Sequence, residues 1–258
     1  MMKKHNIWGT VISVILTLIC TVPFVYVAGK SFLKIEGGFT LDYYYQVFLA
    51  TSQFLMRFWK SLLLSVIIAA GQLIVSVLAG YGFAKCNFPG KNVIFFLLLI
   101  LMIMPLQVTL VPNYIVLDEM GLLDTYYALV LPMIFVPLGT FIMTQSFKSI
   151  PDEIIEAARL DGCGTMGVLR KVAIPMNMNG LVCTMLLSFL DGWNMVEQPI
   201  VYLKDFVKYP IAVALASVPP EDPTVQLVCC MLVVIPPLFL FAFFNRELVD
   251  GIVFGKEK

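Results

Sequence analysis

Residues 149–175 read SIPDEIIEAARLDGCGTMGVLRKVAIP, and this stretch is the most polar part of an otherwise apolar chain. Of the 258 residues, 60% are hydrophobic and 13% are charged, and the mean hydropathy is +0.91. Soluble domains carry about twice that charged fraction, so too few polar residues remain to cover a soluble core. The composition therefore argues against a soluble enzyme and predicts an integral membrane protein. The formal net charge of zero gives no reason to expect nucleic acid as a partner.

The cysteines and the histidine predict no metal or redox site. None of the six cysteines stands in a CxxC pair, and the only histidine is His5. Cysteines inside apolar runs are typical of small hydrophobic residues in a membrane interior. Residues 1–29 begin with a basic pair, as a signal peptide does. Their apolar part of about 20 residues lacks a clear cleavage site, which predicts a retained span.

Six apolar segments are long enough to form membrane-spanning helices. A helix needs roughly 20 residues to cross about 30 Å of hydrocarbon, and these runs lack the alternation of barrel strands. The predicted spans are 8–28, 61–83, 93–117, 126–147, 178–202 and 225–244. Prolines interrupt several spans and indicate bends beside a cavity. These prolines are Pro23, Pro105, Pro112, Pro132, Pro137, Pro236 and Pro237.

The placement of lysine and arginine predicts which side of the membrane each loop faces. An even number of spans puts both termini on one side, and that side receives 11 of the 17 basic residues. Because cytoplasmic loops carry the excess of Lys and Arg, both termini and residues 148–176 are predicted to be cytoplasmic. The chain is accordingly predicted to be a multi-pass protein of a bacterial or archaeal plasma membrane. The six outward bases are Lys30, Lys34, Arg57, Lys60, Lys204 and Lys208.

Residues 148–176, which we call the polar segment, carry the signals of two short helices joined by a glycine turn. The start SIPDE at 149–153 combines a serine cap, a proline and two acids that suit a first helical turn. Gly162 or Gly164 stands where a left-handed C-terminal cap belongs. Thr165 is then predicted to cap a second helix, MGVLRKVAI, that ends at the following proline.

An alternative for the polar segment is an amphipathic helix lying on the lipid surface. Its first helix carries acidic residues, and its apolar face has no Trp or Phe to anchor it among headgroups. Both features argue against this alternative. The small Ala157–Ala158 step and the mixed charges instead favour docking against another protein.

The polar segment resembles the EAA signature of the inner-membrane subunits of ABC importers, in which EAA is followed by a spaced glycine and later by an isoleucine–proline step. In that family the loop is a coupling helix that fits a groove on the ATP-hydrolysing subunit. The resemblance therefore implies that the matching residues couple this chain to an ATPase. They are Glu156, Ala157, Ala158, Gly162, Ile174 and Pro175, with Asp161 beside the glycine.

The resemblance extends along essentially the whole chain, to carbohydrate-uptake permeases of the maltose-transporter MalG type. The stretches that carry it are FTLDYYYQVF, LAGYGFAKCNFPGK, MPLQVTLVPNYIVLDEMGLLDTYYALVLP and GTFIMTQSFKSIPDEIIEAARLDG. The ending NRELVDGIVFGKEK also resembles that type's tail, and implies that Asp250, Gly251 and Gly255 lie at the interface between ATPase subunits. Two departures are the tail, usually richer in Gly and Ala, and Met195 in WNMVEQP, where WNEF is common.

The resemblance implies an all-α integral membrane fold of six transmembrane helices, the type I ABC importer (MetI-like) permease fold with cytoplasmic coupling helices. The implied domains are an N-terminal helix with an extracytoplasmic loop over 1–56, a five-helix core over 57–246 and a cytoplasmic tail over 247–258. The implied partners are a second permease subunit in a heterodimer, two ATPase subunits that bind ATP and Mg, and an extracytoplasmic solute-binding protein. The chain has no GxxxxGK[ST] phosphate loop, so we predict neither enzyme activity nor a cofactor for it.

Polar side chains inside the spans are candidates for the translocation path, because they are costly to leave in lipid. Asp191 and Asn194 lie one helical turn apart, and Trp193 offers a face for stacking on a sugar ring. Pairing with a neighbouring helix is the alternative for Asp191, and bonding between helices is the alternative for each serine and threonine. By the resemblance, the Pro-rich loop 203–224 faces the binding protein. The other candidates are Gln72, Ser76, Gln107, Thr109, Thr140 and Thr144.

The sequence favours half of a translocation path for a sugar or oligosaccharide and leaves three alternatives. The same kind of permease could carry a non-sugar solute such as glycerol-3-phosphate, although no basic cluster inside the spans favours an anion. An ATP-independent secondary transporter would show inverted repeats and buried coupling acids, whereas the chain shows no repeat and one central acid. A membrane enzyme would need a constellation of His, Cys or Ser that the sequence lacks.

Overall fold

The computed structural model describes residues 7–33, 38–47, 52–216 and 223–252, and within them the chain is almost entirely helical. The single β feature in these ranges is an isolated bridge between Leu33 and Phe39. The helices are α1 (Ile7–Ser31), α2 (Asp42–Tyr45), α3 (Ser52–Lys85), α4 (Lys91–Ile103), α5 (Leu106–Glu119), α6 (Tyr127–Ile134), α7 (Pro137–Lys148), α8 (Asp152–Leu160), α9 (Thr165–Val168), α10 (Ile174–Met176), α11 (Met178–Trp193), α12 (Glu197–Tyr202), α13 (Ile211–Ala216) and α14 (Pro223–Ile252).

Up to six apolar spans lie within the described ranges, as the sequence predicts, if each of two bent helix pairs counts as one span. Four are single stretches long enough to cross a membrane: Gly9–Ser31, Gln53–Lys85, Tyr127–Lys148 and Thr224–Asn245. The other two are bent pairs, α4 with α5 at 108° and the stretch Thr165–Met176 with α11 at 84°. The all-α, six-span architecture is therefore confirmed, but the third and fifth spans are not straight helices.

The third span, predicted over 93–117, breaks just before Pro105. Proline has no N–H and restricts the residue before it to extended backbone, and Met104 has φ −67° and ψ 131°. α4 therefore ends at Ile103, and α5 restarts after the proline. The bend that the prolines predict in this span is confirmed at Pro105. Pro112, by contrast, lies inside α5.

The fifth span, predicted over 178–202, is interrupted after Trp193. α11 ends there, residues 194–196 are not helical, and α12 begins at Glu197. Asparagine favours helix ends because its side chain competes for backbone hydrogen bonds, and Asn194 follows α11 with φ −94° and ψ 6°. The single helix predicted over 178–202 is therefore wrong, because its last part is a separate short helix.

Contacts between Cα atoms divide the chain into two units, residues 1–56 with 215–235 and residues 57–214 with 236–258. In the first unit, Val47, Val228 and Cys229 form a buried cluster. The apolar stretch of α1 has no buried residue. This division splits α14 between the two units and does not match the predicted domains. The predicted domain boundaries at 56/57 and 246/247 therefore stay predictions.

The second unit contains close helix crossings at glycines. A β-carbon added at Gly80 of α3 would lie 2.6 Å from the Met143 Cβ and 3.0 Å from the Thr144 nitrogen in α7. At Gly180 of α11, an added β-carbon would lie 2.9 Å from the Ser146 Cβ, also in α7. Small residues at such crossings let membrane helices approach and gain packing contacts. α7 therefore packs directly on both α3 and α11.

Residues 203–224, predicted to be a long loop, contain short helices where the structure describes them. A 3-10 turn at Phe206–Lys208 is followed by α13, and residues 217–222 lie outside the described residues. The Ile211 N–H at the start of α13 donates to the Ser61 hydroxyl of α3 at 2.7 Å. This cap comes from a distant helix, so local sequence cannot reveal it.

Candidate functional site

The first half of the polar segment is α8, which a glycine closes. Gly162 has φ +85°, a left-handed conformation that side chains make costly. Its N–H donates to the Arg159 carbonyl at 3.0 Å, and the Cys163 N–H donates to the Ala158 carbonyl at 3.0 Å. These two bonds define a Schellman cap. The predicted left-handed cap is confirmed at Gly162, whereas Gly164 has an ordinary φ of −68°.

The start of α8 differs from the predicted serine cap. The helix begins at Asp152, after Pro151, and no side chain caps its first N–H groups. The Ser149 hydroxyl instead donates to the Ser146 carbonyl at 2.7 Å, at the end of α7. The predicted acids in the first turn are confirmed. The predicted serine cap is wrong because that hydroxyl closes the preceding helix.

The second half of the polar segment is helical from Thr165 to Met176 and contains a π turn at Leu169–Ala173. Thr165 is the first helical residue, and Gly164 before it has extended backbone. The predicted threonine cap is therefore wrong by one position. The predicted helix itself is confirmed, together with its end near the proline.

Lys85 ties the polar segment to the end of α3. Its ammonium donates to the Asp152 carboxylate and to the Ile150 carbonyl, both at 2.6 Å. The Lys85 side chain is only 6% exposed, whereas that of Asp152 is 78% exposed. The hydrogen bond and the charge of Lys85 lower the pKa of Asp152 below its ordinary value. Because a buried ammonium is costly unless it is paired, this contact fixes where α8 begins.

An apolar cluster seats the polar segment on α3 and α7. Ile155 is the buried residue of α8, and its cluster includes Tyr81 of α3 and Phe147 of α7. The rings of Tyr81 and Phe147 meet edge to face, with centroids 5.8 Å apart. Val168 and Leu169, from the second half of the segment, complete the same cluster. A displacement of α8 therefore acts directly on two spans.

The opposite face of α8 is exposed and partly apolar. Leu160 is 89% exposed, and Met166 in α9 is 57% exposed. Apolar side chains surrounded by charged ones are typical of a protein-docking surface. Of the predicted coupling residues, Glu156, Ala157, Asp161, Gly162 and Pro175 are exposed, and Ala158 and Ile174 are half-buried.

Ile174 and Pro175 lie just before the 84° corner that leads into α11. Asn177 at this corner has φ −125° and ψ 38°. Its amide nitrogen donates to the Ala173 carbonyl at 3.2 Å, and its side-chain oxygen accepts from the Ser146 hydroxyl at 2.9 Å. The missing N–H of the proline favours such a break. The polar segment is thus joined to α11 by a braced corner.

The predicted path residues of α3 and α5 lie in different settings. Gln72 is buried and donates to the Val136 carbonyl at 3.3 Å, at the break between α6 and α7. Gln107 donates to the Glu197 carboxylate at 2.9 Å. Thr109 donates to a carbonyl of its own helix at 2.8 Å. Gln107 is therefore the member of this group that contacts an acidic side chain.

The remaining hydroxyl candidates are buried. Thr144 donates to the Thr140 carbonyl within α7 at 2.7 Å, which is neither a bond between helices nor a contact with a path. Thr140 is 5% exposed and Ser76 is 1% exposed. The Ser76 hydroxyl has no hydrogen-bond partner among the described residues. Their roles in a path stay predictions.

Asp191 and Asn194 are exposed at the end of α11, whereas Trp193 between them is buried. Trp193 is 1% exposed, stacks on Phe189 at 5.9 Å and meets Phe58 edge to face at 5.5 Å. Sugar stacking on this ring stays a prediction, and it requires a rearrangement of this packing. Because a carboxylate is costly in lipid, the exposed Asp191 is suited to face a partner chain or an aqueous path.

Sequence reasoning misses Lys85, Leu160 and Glu197. Glu197 is a second acid in the fifth predicted span, besides Asp191, and it stands two residues after Met195. The rule that an ionisable residue inside a span marks function would have found it. Lys85 reads only as a base at a helix end, because its partners lie more than sixty positions away in sequence.

The remaining predicted site residues lie in the tail. Asp250 and Gly251 fall within α14, and Gly255 lies outside the described residues. Their place at an ATPase interface stays a prediction. Across the described ranges, no group of three or more His, Cys, Asp or Glu residues is placed to hold a metal ion.

The loops that follow α5 and α12 are joined through Asp124, which has φ +58°. Its carboxylate accepts from the Lys208 ammonium at 2.8 Å and from the N–H groups of Lys204 and Asp205 at 3.0 and 3.3 Å. The Lys208 ammonium also donates to the Asp124 carbonyl at 2.7 Å. These contacts fix the start of the 203–216 stretch.

The Asp124–Lys208 pair predicts a pH window for this loop. Hydrogen bonding from Lys208 lowers the pKa of Asp124, and the same bond raises the pKa of Lys208. The stabilisation from Asp124 is present above its unfolded pKa and is lost as pH falls through the lowered value. The stabilisation from Lys208 is present below its unfolded pKa and is lost as pH rises through the raised value. We therefore expect the loop to loosen below about pH 4 and above about pH 10.

Hydrogen–deuterium exchange over 203–210 measures this loosening. At pH 7, residues 203–210 are expected to exchange faster in Asp124→Asn than in wild type. Asparagine accepts the left-handed backbone but carries no charge to hold Lys208. Asp118→Asn, at an exposed acid in α5, is the matched control. Equal exchange of wild type and Asp124→Asn at pH 7 would contradict the electrostatic role.

The family model described as "Binding-protein-dependent transport system inner membrane component" matches residues 72–250. The match includes the last 14 residues of α3, the polar segment and all of α11. The chain therefore belongs to the family of inner-membrane components of binding-protein-dependent transport systems. The resemblance drawn from the EAA signature is confirmed, and the chain is a permease subunit of this class of ABC importer.

Several relatives are similar over most of the chain. The arabinooligosaccharides transport system permease protein AraQ of Halalkalibacterium halodurans is 30% identical, over 89% of this chain and 84% of its own. The polygalacturonan/rhamnogalacturonan transport system permease protein YtcP of Bacillus subtilis is 27% identical, over 93% of both chains. The sn-glycerol-3-phosphate transport system permease protein UgpE of Brucella melitensis is 28% identical, over 76% of this chain and 71% of its own.

The fold is also found in a solved structure. The chain matches the crystal structure of a bacterial ABC transporter involved in the import of the acidic polysaccharide alginate, with a TM-score of 0.80 and 21% identity. The match covers 95% of this chain and 98% of the other. At this identity the likeness shows the shared permease fold.

Proposed function

We propose that this chain forms half of the path through which a binding-protein-dependent importer carries an oligosaccharide, with ATP hydrolysis supplied by separate subunits. The observation that carries the proposal is the braced polar segment, which presents an exposed Leu160 on a chain without a phosphate loop. A rigidly seated surface of this kind is suited to receive force from a docked ATPase. The segment faces the cytoplasm, as the excess of lysine and arginine on its side predicts.

The contacts around α8 support a mechanism for transmitting that force. Closure of an ATPase pair around bound ATP and Mg would displace α8. Because Ile155 packs with Tyr81 and Phe147, the displacement would tilt α3 and α7. The corner at Asn177 would pass it to α11. Coupling of this kind requires two alternative helix packings, inward-facing and outward-facing, that both the ATPase and the solute bias.

The Schellman cap predicts an uncoupled variant. Gly162→Val forces a β-branched residue into φ +85° and is expected to cost about 1–2 kcal/mol, which unwinds the last turn of α8. ATP hydrolysis stimulated by the loaded binding protein is then expected to fall several-fold, while the chain stays in the membrane. Proteoliposomes holding the whole complex provide the measurement.

Gly164→Ala is the matched control for this variant, because Gly164 has a negative φ and a β-carbon there meets nothing within 4 Å. Near-normal stimulation is expected. Full stimulation of ATP hydrolysis and full uptake in Gly162→Val would contradict the coupling role of the polar segment, whatever the solute is.

A second permease subunit would complete the path. The exposed Asp191 and Asn194 at the end of α11, together with the exposed face of α5, are suited to face such a partner and the solute. The family description itself implies an extracytoplasmic solute-binding protein, and the 203–216 stretch is the candidate region for meeting it. We infer a heterodimeric permease with two ATPase subunits.

An oligosaccharide is the proposed cargo for two reasons. The relatives AraQ and YtcP are named for oligosaccharide and polysaccharide transport, and carboxylate and amide groups at Asp191, Asn194 and Gln107 are suited to bind sugar hydroxyls. Glycerol-3-phosphate is not favoured, because the candidate path residues include no basic side chain to bind its phosphate. A ligand screen on the cognate binding protein tests the cargo directly.

Removing the charge of Asp191 is expected to slow transport without uncoupling the ATPase. Asp191→Asn keeps the shape of the side chain but weakens its hydrogen bonds to hydroxyls, and bonds to charged groups are worth about 1.5–3 kcal/mol. Uptake should therefore fall about tenfold or more, while ATPase subunits still co-purify. Asp118→Asn serves as the control, and unchanged uptake in Asp191→Asn would remove this residue from the path.

A further inference from the structure

Four of the six basic residues that the sequence places on the outer side of the membrane lie together near one end of α3. Lys60 and Lys208 line one groove, the Arg57 guanidinium donates to the Phe206 carbonyl at 3.3 Å, and Lys204 bonds to Asp124 through its N–H. This end lies about 37 Å from Lys85 at 1.5 Å per residue. Bases are normally depleted on the outer side, so the cluster requires an explanation of its own.

The groove beside this cluster has a volume of about 540 Å³ and two chemically distinct parts. Its wall is apolar, and two of the side chains are exposed, Leu63 by 63% and Ile67 by 45%. Its mouth is polar and basic. A molecule that fills both parts must be amphiphilic. The wall consists of Leu63, Leu64, Ile67 and Val130, and the mouth of Lys60, Asp124, Thr125, Tyr126, Tyr127 and Lys208.

The mouth carries a net positive charge with one unengaged cation. Lys208 and Asp124 neutralise each other at 2.8 Å. Lys60 makes no hydrogen bond or salt bridge with any described residue. The Tyr126 and Tyr127 hydroxyls line the same mouth and can each donate a hydrogen bond. Lys60 and the tyrosine hydroxyls are therefore available to an anion.

We propose that this groove binds one anionic phospholipid of the outer leaflet. Its phosphate lies at Lys60 and Tyr127, and one acyl chain follows Leu63, Ile67 and Val130 toward the membrane centre. Residues 60 to 67 of α3 span about 10 Å, which places the wall inside the hydrocarbon region when Lys60 and the tyrosines lie at headgroup level. A docked soluble protein would match the basic mouth and leave the apolar wall unfilled, whereas a lipid matches both.

Native mass spectrometry of the full-length chain in detergent tests this site. Phosphatidylglycerol and phosphatidylcholine with identical acyl chains are titrated separately, and the anionic lipid is expected to bind more tightly. Lys60→Gln should lower the affinity for phosphatidylglycerol about fivefold and leave phosphatidylcholine unchanged. Val130→Trp, which fills the apolar wall, should weaken both lipids.

Lys30→Gln, at another outward lysine near the end of α1, is the matched control and should leave both affinities unchanged. Equal binding of the two lipids, or an unchanged phosphatidylglycerol affinity in Lys60→Gln, would overturn the proposal. Competition by water-soluble glycerol phosphate at the same concentration would identify a small-anion site and overturn the assignment to lipid. Loss of binding-protein docking in Lys60→Gln with lipid affinity unchanged would assign the groove to that protein instead.

Discussion

Leu160→Asp is expected to abolish ATP-driven uptake while leaving the chain folded in the membrane. The Leu160 side chain is 89% exposed, so the substitution removes almost no contact within this chain. If the ATPase buries this leucine, its loss costs about 1.5–3 kcal/mol, and an unpaired carboxylate in the same pocket adds a desolvation penalty. Affinity for the ATPase should therefore fall more than tenfold, measured by co-purification of the ATPase and by uptake in proteoliposomes.

Leu160→Met is the matched control, because it keeps an apolar side chain of similar volume. Near-normal co-purification and uptake are expected. Tight ATPase binding and full uptake in Leu160→Asp would contradict the docking surface assigned to the polar segment. A reduced yield of Leu160→Asp from membranes would contradict the conclusion that this side chain has no internal role.

Gly80→Ala is expected to destabilise the bundle out of proportion to the single carbon added. The new Cβ would lie 2.6 Å from the Met143 Cβ and 3.0 Å from the Thr144 nitrogen. Because backbone atoms cannot move aside cheaply, α3 and α7 would have to separate, at a cost of about 1–3 kcal/mol or more. The melting temperature of the purified chain should fall, and uptake with it, because the same two helices seat Ile155.

Gly82→Ala controls for helix propensity in the same helix. A β-carbon at Gly82 meets nothing within 4 Å, and alanine is the better helix former by about 1 kcal/mol. This variant is therefore expected to melt at the same temperature as wild type or slightly higher. A melting temperature for Gly80→Ala equal to that of Gly82→Ala would contradict the close crossing.

Local chemistry made much of the fold predictable from sequence. Apolar runs of about 20 residues can form few structures other than membrane helices. Pro105 predicts the bend in the third span. A left-handed cap could be predicted at Gly162 or Gly164 because few other residues suit that conformation, and the structure places it at Gly162. The EAA signature was recognisable because it combines residue type and spacing over a short range.

The rest depends on contacts between distant positions. Ser149 and Thr165 read as caps, but the Ser149 hydroxyl bonds back to α7, and α13 takes its cap from Ser61 of α3. The stop after Trp193 lies inside a run that is apolar enough to continue. Burial of that ring between Phe58 and Phe189 arises only once α3 and α11 pack. Such contacts are set by tertiary packing, and the residue pattern of a single segment cannot predict them.

Site-specific photo-crosslinking can show whether Leu160 of the polar segment docks against the ATP-hydrolysing subunit. A photoreactive amino acid replaces Leu160 in the assembled complex, and Tyr127, which is 67% exposed beside the far end of α3, provides the matched position. We expect Leu160 to crosslink to the ATP-hydrolysing subunit, with a yield that changes between nucleotide-free and ATP-bound states, and we expect Tyr127 not to do so. Crosslinks from Leu160 to lipid alone, or crosslinks to the ATPase from Tyr127, would contradict this docking.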